Sequence, residues 1–89
     1  EAFAESAYHS EQAILLGRMT AETYNNFGYA LAHLGRYDEA IKAINRSLGL
    51  SPESAAALDS KGFVYFRMGR YQDALHWYNK ALDLEPTLA

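Results

Sequence analysis

The histidine and carboxylate side chains of this sequence could support acid–base or metal chemistry. The 89 residues include three histidines, eleven acidic residues and no cysteine. His9, His33 and His76 occupy three different phases of the 34-residue repeat described below, so we do not expect them to converge on one metal ion. No nucleophile has a recognisable catalytic context, and no glycine-rich loop could hold a phosphate. We therefore predict a non-enzymatic chain without a metal or a cofactor.

Other polar and aromatic side chains are better suited to binding than to catalysis. They are spaced three to four residues apart in two segments, which places each set on one face of a helix. Aromatic rings flanked by an amide, an acid and a guanidinium suit a peptide with an apolar anchor and a polar backbone. In the alternative interpretation, the two phenylalanines only pack against neighbouring helices. The candidate peptide-binding residues are Asn25, Tyr29, His33, Asp59, Phe63, Phe66 and Arg67.

A repeat of 34 residues must position these side chains. The tripeptide Gly-Arg-Tyr occurs at 35–37 and again at 69–71, and residues 21–54 match residues 55–88 at ten positions. A fixed period of this size indicates stacked copies of one supersecondary unit. Residues 1–20 align more weakly, with Phe3 falling on Tyr37. We interpret residues 1–20 as the second helix of a divergent, truncated repeat, residues 21–54 as one repeat, and residues 55–89 as another with a short tail.

Each repeat is predicted to contain two helices. In the first copy, Thr20 is a candidate N-cap, apolar residues follow at helical spacing, and Gly35 provides a left-handed stop before a helix that begins near Tyr37. In the second copy, we predict a helix from Pro52 to Met68, because proline fits a first helical turn. A last helix is then expected from Tyr71 to about Leu84.

The spacing of these residues resembles the tetratricopeptide repeat, whose pattern is W-x2-L-G-x2-Y, then A-x3-F, then P. The chain offers Tyr24-x2-Phe27-Gly28-x2-Leu31, Ala40-x3-Ile44 and Pro52, followed by Leu58-x2-Lys61-Gly62-x2-Tyr65, Ala74-x3-Tyr78 and Pro86. The resemblance implies an all-α right-handed superhelix, a solenoid of about 2.5 repeats and five helices. It also implies a protein–protein interaction module whose first helices line a concave face. The 34-residue step and the acidic balance argue against the RNA-binding pentatricopeptide repeat.

Two residues, Lys61 and Trp77, depart from the repeat pattern. Lys61 replaces an apolar residue, so we expect its stem to pack while its ammonium reaches water, or else a local weakness between repeats. The counterpart of Trp77 in the first copy is the much smaller Ala43.

Family members that bind acidic chaperone tails use a Lys–Asn–Arg clamp on the concave face. Here Asp59 would repel such a tail, so we expect no binding of that kind.

The last helix suggests a second function, which is self-association. A repeat buries its faces only against its neighbours, and residues of this helix would stay partly exposed in the chain. The ends could therefore join copies of the chain into a homo-oligomer, or the chain could be a regulatory fragment of a larger protein. The candidate self-association residues are Leu75, Trp77, Tyr78 and Leu82.

The overall composition restricts the class of partner. A net charge of -3 without a run of basic residues gives no cationic surface for nucleic acid. No apolar stretch approaches the ~20 residues that a membrane span requires, so no direct membrane insertion is expected. The absence of an initial Met suggests an excised or processed fragment. The compartment stays open, with the cytoplasm as the default.

Overall fold

The computed structural model describes residues 2–86, and within them the regular structure is helical throughout. The element order is α1 (Ala2–Leu15), α2 (Ala21–His33), α3 (Tyr37–Leu50), α4 (Ala55–Arg67) and α5 (Tyr71–Leu84). The predicted all-α architecture of five helices is confirmed. Among the described residues, no helix is long and apolar enough to span a bilayer.

The helix ends follow local capping chemistry. The Thr20 side chain accepts a hydrogen bond from the Thr23 amide, as expected for an N-cap. Gly35 has a φ of +80° and Gly69 has a φ of +81°, so both repeats stop their first helix with a left-handed residue for which glycine is favoured. After Gly35, the amide of Arg36 donates to the Leu31 carbonyl at 2.9 Å, which satisfies a carbonyl of the last turn.

The start of α4 differs from the sequence prediction. The prediction placed Pro52 in its first turn, but the helix begins at Ala55 and Pro52 lies in the preceding turn. Ser54 is the N-cap, because its hydroxyl accepts a hydrogen bond from the Ala57 amide at 3.1 Å. A serine side chain that satisfies this free amide outweighs the weaker preference of proline for a first turn.

In each repeat, a glycine of the first helix faces the second helix at close range. A Cβ atom added to Gly28 would lie 2.5 Å from Ile44 Cγ1 and 3.0 Å from the Ala40 carbonyl oxygen. A Cβ atom added to Gly62 would lie 2.8 Å from Tyr78 Cδ1. The glycines therefore set the distance between α2 and α3 and between α4 and α5. The larger of two buried clusters includes Leu31 and Ile44, which are fully buried.

The order in which the helices touch defines an inner row and an outer row. Along the chain, neighbouring helices pack as α1 on α2, α2 on α3, α3 on α4 and α4 on α5, and α2 also contacts α4. Within residues 2–86, α3 contacts neither α1 nor α5. The first helices of the two repeats are thus closer together than the second helices, as in a curved solenoid whose first helices form the inner side.

Candidate functional site

Equivalent positions of α2 and α4 face each other across the inner row. Tyr29 and Phe63 are one period apart, and their ring centroids lie 5.2 Å apart. One turn later, His33 and Arg67 are also one period apart, with 3.5 Å between Nδ1 and Nη1. One turn earlier on the same faces are Asn25 and Asp59. We call these six residues the inner surface: Asn25, Tyr29, His33, Asp59, Phe63 and Arg67.

An aromatic cluster occupies the centre of the inner surface. His33 lies 4.7 Å from Tyr29 and 4.8 Å from Phe63, measured between ring centroids. Phe3 of α1 stacks on His33 at 3.7 Å with an interplanar angle of 5°. Sequence reasoning did not include Phe3, because its counterpart Tyr37 offered no sign of a role at this surface. The aromatic cluster therefore consists of Phe3, Tyr29, His33 and Phe63.

His33 is half-buried beside a cation. Its Nε2 atom is buried and has no hydrogen-bond partner among the described residues. The guanidinium of Arg67 lies against the ring of Phe63, with 5.7 Å from Cζ to the ring centroid. Burial and then the charge of Arg67 lower the pKa of His33 below its ordinary value. The neutral imidazole is therefore the form that fits this packing.

The other end of the inner surface carries hydrogen-bond acceptors. Burial raises the pKa of Asp59 above its ordinary value, and no Lys, Arg or His of residues 2–86 lies within ion-pair distance of its carboxylate. The Oδ1 atom of Asn25 is buried and lacks a donor among those residues. The pKa of Tyr78 is raised by burial, then by the nearby Asp59 and Tyr29, which places its phenol beside this end.

Phe66, the seventh predicted binding residue, lies outside this arrangement. It is 50% exposed, and its ring pairs with Tyr71 of α5 at 5.5 Å between centroids. Phe66 shares the broad face of α4 with Asp59 and Phe63, but it lies on the side of that face where Tyr71 of α5 is within reach.

The four candidate self-association residues occupy different environments on α5. Leu75 is 56% exposed, whereas the other three are half-buried. Tyr78 packs against Gly62, and Trp77 packs beside a small cluster formed by Ala55, Leu58 and Ala81. Exposed apolar area at this end of the chain therefore centres on Leu75.

Lys61 and Trp77, the two departures from the repeat pattern, contact each other. The Lys61 ammonium lies 4.0 Å from the centroid of the Trp77 ring and donates a hydrogen bond to Asn45 Oδ1 at 2.7 Å. Burial, followed by the charge of Lys80, lowers the pKa of Lys61. Lys61 thus joins α3, α4 and α5, which favours a tie between the repeats over a weakness between them.

A groove of about 570 Å³ lies on the first repeat and is lined by Tyr24, Lys42, Ala43, Asn45 and Arg46. Ala43, one of its lining residues, is the counterpart of Trp77. Within residues 2–86, no three His, Asp or Glu side chains are close enough together to hold a metal ion.

Comparison with known proteins agrees with this architecture. The family model for the tetratricopeptide repeat matches residues 19–85. Among solved structures, MamA from MSR-1 is 26% identical with a TM-score of 0.83, over 99% of this chain and 51% of that one. MamA from AMB-1 is 28% identical with a TM-score of 0.84, over 97% and 51%. The chain therefore spans about half the length of these relatives. A comparison with curated proteins gives no match.

Proposed function

Because the chain belongs to the tetratricopeptide repeat family, a fold that serves protein–protein interaction, we propose that its inner surface binds an extended peptide from a partner protein. The peptide would lie across α2 and α4 and place an apolar side chain against Tyr29 and Phe63. Repeats of this family are generally scaffolds without enzymatic activity, and we assign no catalytic residue.

The observation that carries this proposal is the contact between Tyr29 and Phe63. Their rings lie 5.2 Å apart, at equivalent positions of two repeats, and Tyr29 remains 42% exposed. Exposed aromatic rings surrounded by polar groups are the usual anchors of protein interfaces. The amide, carboxylate and guanidinium on either side can bond to the peptide backbone and flanking side chains.

Selection of peptides from a phage-displayed random library tests the proposal. We expect the chain to enrich a set of peptides whose binding is lost with Tyr29→Ala, because that change removes the exposed half of the anchor while leaving the core intact. Phe66→Ala is the matched control, since it removes an aromatic ring of similar exposure from outside the aromatic cluster. Circular dichroism must show that both variants are folded. If the two variants bind every selected peptide equally well, the proposal fails.

We propose self-association through α5 as a second candidate function, because internal comparison of the repeats favours it. Tyr37 and Ile41 of α3 are half-buried and pack against the core beside α4. Their counterparts Tyr71 and Leu75 are 64% and 56% exposed. A helix packed on α5 as α4 packs on α3 would cover them, and a second copy of the chain could supply it. The mass of the protein in solution tests this candidate.

A further inference from the structure

We propose that the inner surface selects peptides that carry a lysine or arginine, whose cationic group binds the exposed carboxylate of Asp59. This inference rests on the proposed function, because it concerns the same surface and names the side chain that the surface recognises. The apolar neighbour of that basic residue would then contact Tyr29 and Phe63.

The register of α2 and α4 places Asp59 at one end of the inner surface. The inner surface consists of three successive pairs of equivalent residues. Two pairs are in contact, Tyr29 with Phe63 and His33 with Arg67. Asn25 and Asp59 form the next pair toward the start of each helix. Asp59 is exposed and has no ion-pair partner among residues 2–86.

The chemistry of this end of the inner surface suits a cation. The exposed carboxylate of Asp59 can accept hydrogen bonds from an ammonium or a guanidinium, and charge-assisted bonds of this kind are the stronger ones. The charge of Asp59 contributes to the raised pKa of the Tyr78 phenol, so this aromatic residue lies near the carboxylate. Aromatic faces attract a cation within about 6 Å of the ring. Glu22, one turn before Asn25 on α2, adds a second negative charge.

A negatively charged ligand fits poorly at this end of the inner surface. A carboxylate near Asp59 would be repelled, and a neutral side chain would leave the charge of Asp59 uncompensated. The inner surface has one cation, Arg67, which lies two helical turns from Asp59 and already contacts His33 and Phe63. The distribution of charge along α4 therefore orients a bound peptide with its basic residue toward Asp59.

The exposure of Asp59 leaves its carboxylate accessible to a bound cation. Partial burial nevertheless raises its pKa, so the charged form is less favourable in the folded state than in the unfolded one. Above that pKa, the ionised carboxylate lowers the stability of the fold. Asp59→Asn should therefore leave the melting temperature at pH 7 unchanged or raise it. A bound cation would compensate the same charge.

The peptide library described above tests the inference when it is panned in parallel on the unmodified chain and on Asp59→Asn. We expect the peptides that depend on Tyr29 to be rich in Lys or Arg next to an apolar residue, and Asp59→Asn to lose that enrichment. Asp83→Asn is the matched control, because it removes the same charge from an exposed position on α5. It should retain the enrichment.

A synthetic peptide from the enriched set then gives the affinity by fluorescence polarisation. Replacing its basic residue by norleucine should weaken binding to the unmodified chain about tenfold or more, and should change binding to Asp59→Asn much less. Peptides that depend on Tyr29 but lack a preference for basic residues would overturn this inference and leave the proposed function standing. A library without any peptide that depends on Tyr29 would overturn both.

Discussion

Gly28 and Gly62 are the residues on which the closeness of paired helices depends. In each case the space that a Cβ atom would need is already occupied. At Gly28 the obstacles include the carbonyl oxygen of Ala40, which belongs to the backbone of α3 and cannot rotate away. At Gly62 the obstacle is the ring of Tyr78, a side chain that can shift more easily.

We predict that Gly28→Ala lowers the free energy of unfolding by about 1–3 kcal/mol, the usual cost of overpacking. The measurement is chemical denaturation followed by circular dichroism. Gly49→Ala is the control, because Gly49 is also helical but a Cβ atom there would meet no atom within 4 Å. That change should be neutral or stabilising by up to about 1 kcal/mol, since alanine favours a helix more than glycine does. Equal losses in the two variants would contradict a packing role for Gly28.

At the scale of residues, the sequence did not predict the contact between Lys61 and Trp77. Lys61 and Trp77 each depart from the repeat pattern, and each was judged separately against its counterpart. In the fold they contact each other, because α4 and α5 bring the ammonium over the indole. Phe3 was missed for a related reason. Its stacking on His33 depends on how α1 docks, and the weak alignment of residues 1–20 carries no information about that docking.

At the scale of elements, the repeat period predicted five helices and their approximate limits. The left-handed glycines and the Thr20 cap were predicted because these residue types have strong local preferences. The start of α4 was not, since Pro52 and Ser54 both suit a helix start and only the hydrogen bond to Ala57 decides between them. Likewise, the sequence predicted a shared face for Asn25, Tyr29 and His33, but the contacts across to α4 depend on tertiary packing.

The docking of α1 on the remaining helices should depend on pH through His33. The pKa of His33 is lowered by burial and by Arg67, so the unfolded chain binds a proton more readily than the folded chain just below pH 6.5. We therefore expect the melting temperature to fall as the pH decreases from about 7 to about 5, because protonation places a positive charge on a half-buried ring beside the guanidinium of Arg67. Thermal melts across this range measure the effect.

A variant that keeps the stack but cannot titrate isolates the contribution of His33. His33→Phe should keep an aromatic ring beside Phe3 and should reduce the loss of melting temperature toward acid pH. His9→Gln is the control, since His9 is exposed on α1 and stands outside the aromatic cluster. If His33→Phe shows the same pH dependence as the unmodified chain, the histidine is not responsible.

For the molecule as a whole, the contacts between repeats say more about function than the contacts within them. The inner row brings α2 against α4 and creates a surface that neither repeat has alone. The outer helices remain separate, and α5 presents a face whose counterpart on α3 is packed beside α4. These two surfaces point in different directions, so peptide binding and self-association can be tested independently.

Leu75→Glu tests whether the face of α5 joins copies of the chain. If it does, the mass measured by light scattering should increase with protein concentration in the unmodified chain, and Leu75→Glu should restore the monomer mass. Covering the exposed 56% of this leucine contributes about 0.8–1.7 kcal/mol, which corresponds to a roughly fourfold to seventeenfold change in the dissociation constant. Binding of peptides to Tyr29 and Phe63 should be unaffected.

Leu50→Glu provides an unusually close control for this experiment. Leu50 and Leu75 are both 56% exposed, so the two substitutions remove equal apolar surface and add the same charge. They differ in their counterparts within the repeat. Leu84, the counterpart of Leu50, is also exposed, whereas Ile41, the counterpart of Leu75, packs against the core. Leu50→Glu should therefore leave the mass unchanged. A monomer mass in the unmodified chain at every concentration, or an equal response to both substitutions, would remove the face of α5 as an interface.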